Sequence, residues 1–167
     1  MATAPAISID ASRLHALLDK FDGAEAVVQR EGGNALARSA AQVEADAKRN
    51  ITDVGAVDTG MLRRSIATEL RPGNSPIEAS IGTNLQYAET IEVGRRPGAP
   101  MPPPGVLLDW MRRHGIEPEK EYVIRARIGR FGIDGRPYLG PALTENESTI
   151  QREFDLAADR ALAELLR

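Results

Sequence analysis

Cysteine is absent from the 167 residues, which excludes a disulfide framework, a thiolate metal site and a cysteine nucleophile. Aromatic residues make up only 4% of the chain, so the core must be built mostly from Leu, Ile, Val and Ala. Such a core is thin for an isolated monomer, and contacts between copies can supply part of the missing burial. No run of about 18 apolar residues occurs, and residues 1–5 lack the basic start and apolar stretch of a signal peptide. A soluble chain made in a cytoplasm, with no membrane partner, is the expectation. Strong positive charge is missing as well. A net charge of -3 argues against a free-standing DNA-binding protein, whose footprint is a strongly basic face. The two histidines, His15 and His114, lie on separate expected helices with no His-x-x-x-His spacing, so neither a zinc site nor any other cofactor is expected. His114 suits the carboxyl end of a helix dipole.

What charge there is has a pattern. Residues 1–60 carry six basic and nine acidic side chains, residues 61–140 twelve and nine, and residues 141–167 three and six. Acidic ends therefore flank a basic middle. Two explanations stand side by side: ordinary solvated helix faces, or complementary fields that set the register of a self-assembling subunit.

A length of 167 residues fits a single domain over residues 1–167. Asp10 can cap a first helix with Leu14, Leu17, Leu18 and Phe21 on one face, ending or bending at Gly23. A second helix near residues 24–51 carries Leu36, Ala40, Val43, Ala47 and Ile51 on one stripe, with Gly32 and Gly33 as an expected interruption. Asp58 or Thr59 can cap a short turn anchored by Leu62. Alternation then places Ile66 and Leu70 on one strand face, and Ile77, Ala79 and Ile81 on another. The Pro-Gly-Asn-Ser-Pro stretch of residues 72–76 turns the chain between them, predicting an antiparallel hairpin at about residues 64–82.

Residues 85–93 predict a short helix presenting Tyr87 and Ile91. Five of the eight residues 97–104 are proline, which makes residues 94–104 an extended loop or arm. Pro104 suits the first position of a helix bearing Leu107, Trp110, Met111 and His114, stopped by Gly115. A further helix near residues 119–131 turns Ile124, Ile128 and Phe131 inward and leaves Arg125, Arg127 and Arg130 outside. The last helix starts close to Pro141, with Ile150, Phe154, Ala157, Ala161 and Leu165 as its stripe. The plan is α+β, a small antiparallel sheet packed against long helices, with a Pro-rich arm and a long C-terminal helix.

Three segments join turn or cap chemistry to apolar anchors. The first contains Asp58, Thr59, Gly60, Leu62 and Ser65; the second Gly82, Thr83, Tyr87, Ala88, Glu92 and Gly94; the third Pro137, Tyr138, Leu139, Ala142 and Leu143. In order and spacing they resemble the neck and tail-component family of long-tailed phages, often named after gene product ten of the Hong Kong coliphage. Its members typically show Asp-Thr-Gly-x-Leu-x-x-Ser, a Gly-Thr followed by Tyr-Ala and Glu-x-Gly, and a late Pro-aromatic-Leu with Ala-Leu. The likeness covers roughly residues 24–165. Val93, Arg95 and Gly140 depart from the residues common there.

The resemblance implies a non-catalytic virion protein at the head-to-tail junction, a ring-forming neck or tail-completion subunit around the DNA channel. Its implied partners are further copies of itself and other neck, portal-adaptor and tail proteins, with DNA passing through unread. It would be assembled in the host cytoplasm. A tail terminator or head-closure protein is the alternative of the same class, and a small metal-dependent nucleic-acid-processing enzyme that of another. For the enzyme, Glu117 and Glu119 beside Lys120 are the candidates, but their spacing is wrong and Pro118 spoils the strand such carboxylates need.

Asp58-Thr59-Gly60 reads as a cap and tight turn, with no phosphate-loop glycine pattern beside it. Tyr87 and Glu92 suit either the core or a partner. Arg125, Arg127, Arg130 and Arg136 could face packaged DNA or the acidic helices of the next subunit, the latter favoured by the acidic total. Arg95, Arg96, Pro102, Pro103, Arg125, Arg127 and Arg130 form the candidate subunit interface, with the prolines stiffening an arm that docks on a neighbour or serving a proline-recognition domain.

Overall fold

The computed structural model describes residues 24–71 and 78–166. The expected first helix with Asp10, His15 and Gly23, the turn at residues 72–76 and Ile77 lie outside the described residues. Helix α1 spans Glu25–Asp53 and α6 spans Leu139–Leu165; α2 is Met61–Ser65, β1 Ala67–Arg71, β2 Glu78–Gly82 and α3 Ala88–Val93. Then come α4 (Leu108–Arg113), a 3-10 turn (Pro118–Lys120) and α5 (Glu121–Phe131).

The body is an antiparallel pair of long helices. Leu36, Ala40, Val43, Ala47 and Ile51 of α1 are all buried, as are Ala142, Ile150, Phe154, Ala157, Ala158 and Ala161 of α6. Alanines on both stripes let the helices approach closely, and polar bonds tie the pair along its length. Asn50 Nδ2 donates to the Tyr138 carbonyl (3.1 Å), Asn146 Nδ2 to Asp46 Oδ2 (2.7 Å) and Arg38 Nε to Glu153 Oε2 (2.9 Å). Arg30 pairs with Glu164 at the far end. Gly32 and Gly33 do not interrupt α1: Gly32 is buried on the packing face, and burial there offsets the roughly 1 kcal/mol helix penalty of glycine. The helix ends instead in a Schellman turn, with the Gly55 amide donating to Thr52 (3.1 Å) and the Ala56 amide to Ile51 (3.0 Å).

The hairpin forms as predicted, with Ala67 opposite Gly82 and Arg71 opposite Glu78. Ile66, Ala79 and Ile81 are buried, and Thr68 Oγ1 donates to Glu44 Oε2 of α1 (2.7 Å). Leu70, expected inside, is 46% exposed. Because α1 lies over β2 more than over β1, the shared face is dry at Ala79 and open at Leu70.

Residues 95–134 form a flap. Met111 is its one buried hydrophobic side chain among the described residues, and the core that joins α1, α6 and the hairpin takes no residue from this segment. Helix α4 starts at Leu108 and not at Pro104: the Gly105 backbone has φ +86° and sends its amide to Glu121 Oε1 (2.6 Å), so the chain bends toward α5 before it coils. Gly115, with φ +65°, stops α4 as expected. Phe131, expected inward, is 60% exposed. The covered side of α5 centres on buried Gly129, where a Cβ would meet Met101 Cγ at 2.8 Å, and two residues along a helix is nearly the opposite side.

Candidate functional site, where three motifs meet

The first motif is a turn that holds itself. Gly60 takes φ +72° ahead of α2, Thr59 Oγ1 accepts from the Met61 amide (3.3 Å), and Leu62 is buried below. Ser65 Oγ donates to the Leu62 carbonyl (2.9 Å) and lies 2.6 Å from Thr83 Oγ1 in the second motif. A hydroxyl donates once, so Thr83 must donate to Ser65, and its own oxygen accepts from the Leu85 amide (3.2 Å). This chain of hydroxyls welds α2 to the end of β2. Asp58 caps nothing. Its carboxylate takes two bonds from Arg113 of α4, through Nε (3.0 Å to Oδ2) and through the terminal nitrogen, and that guanidinium holds the Asp58 carboxyl below its ordinary value.

The second and third motifs meet at one side chain. Glu92, in the last turn of α3, receives the Tyr138 and Leu139 amides on Oε2 (2.8 and 3.0 Å) and the Gly140 amide on Oε1 (2.9 Å). Those amides open α6, whose start leaves donors unsatisfied and partly positive, so a carboxylate from another element is a strong cap. Gly140, a departure from the family pattern, keeps the approach clear: a Cβ there would lie 3.2 Å from Glu92 Oε1. Tyr138 is buried behind the cap, and burial, with the nearby Glu92 and Tyr87, pushes its hydroxyl up to about 12. Tyr87 itself is 44% exposed. Ala88 and Ala142 are buried, and Leu139 and Leu143 pack against the core.

Gly94 closes the junction. Its φ is +78°, and a Cβ would run into the Ile133 carbonyl oxygen and the Gly135 amide. Just beyond it, Arg95 and Ile133 form an antiparallel bridge, amide to carbonyl in both directions (2.7 and 2.9 Å). The Arg136 amide donates to the Ile91 carbonyl (2.7 Å) and its guanidinium to the Gly55 carbonyl (2.7 Å). Residues from all three motifs thus act as internal braces around the base of the flap.

The candidate interface residues gather on the flap in two kinds. Arg95 and Arg125 direct guanidiniums to the carbonyls of Pro100 and Pro102 (the latter at 2.6 Å), which lays the Pro-rich loop along α5. Gly98 adds an amide bond to Gly129 (2.8 Å). Arg96, Pro103, Arg127 and Arg130 are exposed. Arg127 and Arg130 flank the Phe131 ring at 5.5 and 5.3 Å. His114 sits at the C-cap of α4, its Nδ1 2.8 Å from the Trp110 carbonyl. Glu117 pairs with Lys120 across the 3-10 turn (3.1 Å). Among the described residues no cluster of three or more His, Asp or Glu side chains is arranged to hold a metal ion.

Sequence reasoning missed the buried pair Asp46 and Asn146. Asn146 also donates to the Ala142 carbonyl (2.9 Å), while Asp46 receives Gln42 (3.0 Å) and pairs with Arg49 (2.6 Å). The signal was present: Asn146 falls between Ala142 and Ile150 at four-residue spacing, on the stripe itself.

Residues 15–94 match the family model described as "Bacteriophage HK97-gp10, putative tail-component", the family that the motifs resemble. The match indicates a bacteriophage tail-component protein, a structural constituent of the virion. Its first two motifs lie within the matched residues, and the three bonds of Glu92 tie the third to them. No curated protein and no solved structure matches the chain. No helix of the described residues is long and apolar enough to cross a membrane.

Proposed function

We propose that this tail component is a ring-forming neck or tail-completion subunit at the head-to-tail junction, surrounding the channel through which DNA passes. Its neighbours are other copies of the chain and the neck, portal-adaptor and tail proteins on either side, and DNA is not read in sequence. The observation that carries this is the use of the motif residues: Glu92, Ser65, Thr83 and Gly94 set the angle at which α6, the hairpin and the flap leave one point. A subunit whose distinctive residues all fix geometry works by shape, with helices and hairpin as wall and with loops and flap as contacts. Arg127 and Arg130 then serve a neighbouring subunit and not a catalytic step.

Negative-stain imaging and mass photometry of the purified chain, alone and mixed with virions, test this. Rings, or added density at the neck of the particle, are expected. Density along the tail tube or at its tip, with the neck unlabelled, would defeat the assignment. Cleavage of DNA in the presence of a divalent ion, abolished by Glu117→Ala with Glu119→Ala, would favour the enzyme instead.

A further inference from the structure

Strand β1 has an open edge. Four of its five residues are exposed, one edge is taken by β2, and among the described residues its backbone makes no bond beyond the hairpin. Thr68 turns toward α1, where it meets Glu44, so alternation puts Leu70 on that side and Glu69 and Arg71 on the other. Leu70 is 46% exposed although it shares the face that holds the core, because α1 lies over β2 more than over β1. Neither Glu69 nor Arg71 has a side-chain partner among the described residues.

Charges on an edge strand ordinarily keep other strands away. Here they are of opposite sign and stand two residues apart, and that pattern is complementary to itself. When β1 pairs antiparallel with its own copy about Leu70, Glu69 of each chain falls directly opposite Arg71 of the other, and the two Leu70 side chains meet. Centring the pair on Glu69 or on Arg71 sets like charges against each other, and centring it on Thr68 leaves both charges without a counterpart. Of the registers that keep both α1 helices on one face of the sheet, only the one about Leu70 pairs the charges. The two β2 strands then lie three strand spacings apart, about 14 Å, which leaves room beneath them for two helices of about 10–12 Å diameter side by side.

We infer that β1 is a self-recognition edge, through which two copies of this chain join their hairpins into one four-stranded antiparallel sheet across a two-fold axis at Leu70. Arg71, already opposite Glu78 across the hairpin, stands in that sheet between two carboxylates, Glu78 of its own chain and Glu69 of the second copy. The open leucines cover each other, and the edge amides and carbonyls gain partners. Three residue pairs make a small contact, so the association is weak. A two-fold contact closes at two copies and does not propagate. It is therefore separate from the contacts that build a ring, and its test does not judge the neck assignment.

Sedimentation equilibrium of the full chain at up to hundreds of micromolar reads the association. Glu69→Arg and Arg71→Glu should each weaken it about tenfold or more, since each turns two attractions into two repulsions. The two variants mixed should associate with one another, and the chain carrying both substitutions should regain self-association. Because the chain has no cysteine, Leu70→Cys introduces a single thiol, and mild oxidation should link it to its copy much faster than it links the thiol of Leu162→Cys, an equally solvent-open position on α6. Association that ignores the charge exchanges, equal cross-linking at the two positions, or a chain monomeric at every concentration overturns the inference. So does full protection of the amides of residues 68–71 from exchange in dilute monomer, which would mean that the chain itself already holds the edge. Circular dichroism on each variant separates a lost association from a lost fold.

Discussion

The body and the flap are built on different principles. In the body, α1, α6 and the hairpin share one dry core in which Ile51, Val43, Ile66 and Ile81 are almost wholly buried. The flap, about forty residues long, has Met111 buried and leaves Met101, Val106, Trp110, Tyr122, Val123, Phe131 and Ile133 exposed among the described residues. Its order comes from backbone pairing at the Arg95–Ile133 bridge, from arginines on proline carbonyls and from the low entropy of a Pro-rich loop. A region that keeps its apolar side chains outside is suited to burying them later against another molecule. The body is therefore the stable scaffold and the flap the part whose energetics are completed by assembly.

The sharpest way to break that contrast is a matched pair of truncations. Phe154→Ala opens a cavity in the shared core and should lower the stability of the whole chain by about 3–5 kcal/mol, read from urea unfolding. Met111→Ala should leave that transition where it is and instead speed amide hydrogen exchange across residues 98–131. If both variants shift one common transition equally, body and flap are a single cooperative unit and the contrast fails. Next in size is the link between them. Glu92→Gln replaces a carboxylate that receives three amides by a group with one acceptor oxygen, at a cost of about 1–3 kcal/mol. Exchange at the amides of Tyr138, Leu139 and Gly140 should rise with it.

Acid should reach the body through two carboxylates of α1, Asp46, which is buried, and Glu44, which is half-buried. Asp46 is held below its ordinary 3.8 first by the Asn146 amide, with Gln42 and Arg49 assisting against burial. For Glu44, burial pushes upward, but the bonds from Lys48 and Thr68 together outweigh it and leave the carboxyl below its ordinary 4.5. Groups depressed in the folded state contribute stability that is complete above the unfolded values and disappears as pH falls through the lower folded ones. Unfolding free energy should thus be level near neutrality and decline below about pH 4.5. Asp46→Asn should flatten that decline, and an unchanged slope would remove Asp46 from the account.

Most of the body was legible in the sequence because periodicity and burial coincide there. The stripes from Leu36 to Ile51 and from Ile150 to Ala161 are long, and the hairpin strands alternate around a turn-rich centre. What was illegible depended on partners far away in sequence. Glu92 is one carboxylate among many until residues 138–140 are placed 2.8–3.0 Å from it. Asp58 has good capping chemistry beside a helix start, yet a guanidinium 55 residues later is the stronger partner. In the flap the 3.6-residue period misleads, since Phe131 follows the apolar spacing of Ile124 and Ile128 but no element covers its side. Gly32 and Gly33 misled in the other direction, because packing overrides a local helix penalty.

The smallest effect should come from the pair that spans the two regions. Asp58 and Arg113 are both substantially solvated, and exposed ion pairs contribute little to global stability because solvent and salt screen them. Arg113→Ala should therefore leave the urea midpoint unchanged within error. The pair nevertheless connects the loop before α2 to the C-terminal end of α4. Removing it takes away one tie between the two regions, so exchange should quicken in α4, and raising the salt concentration should quicken it likewise in the parent chain but not in the variant. If exchange in α4 is the same in both chains at low salt, the pair is an incidental surface contact and the flap's position does not depend on it.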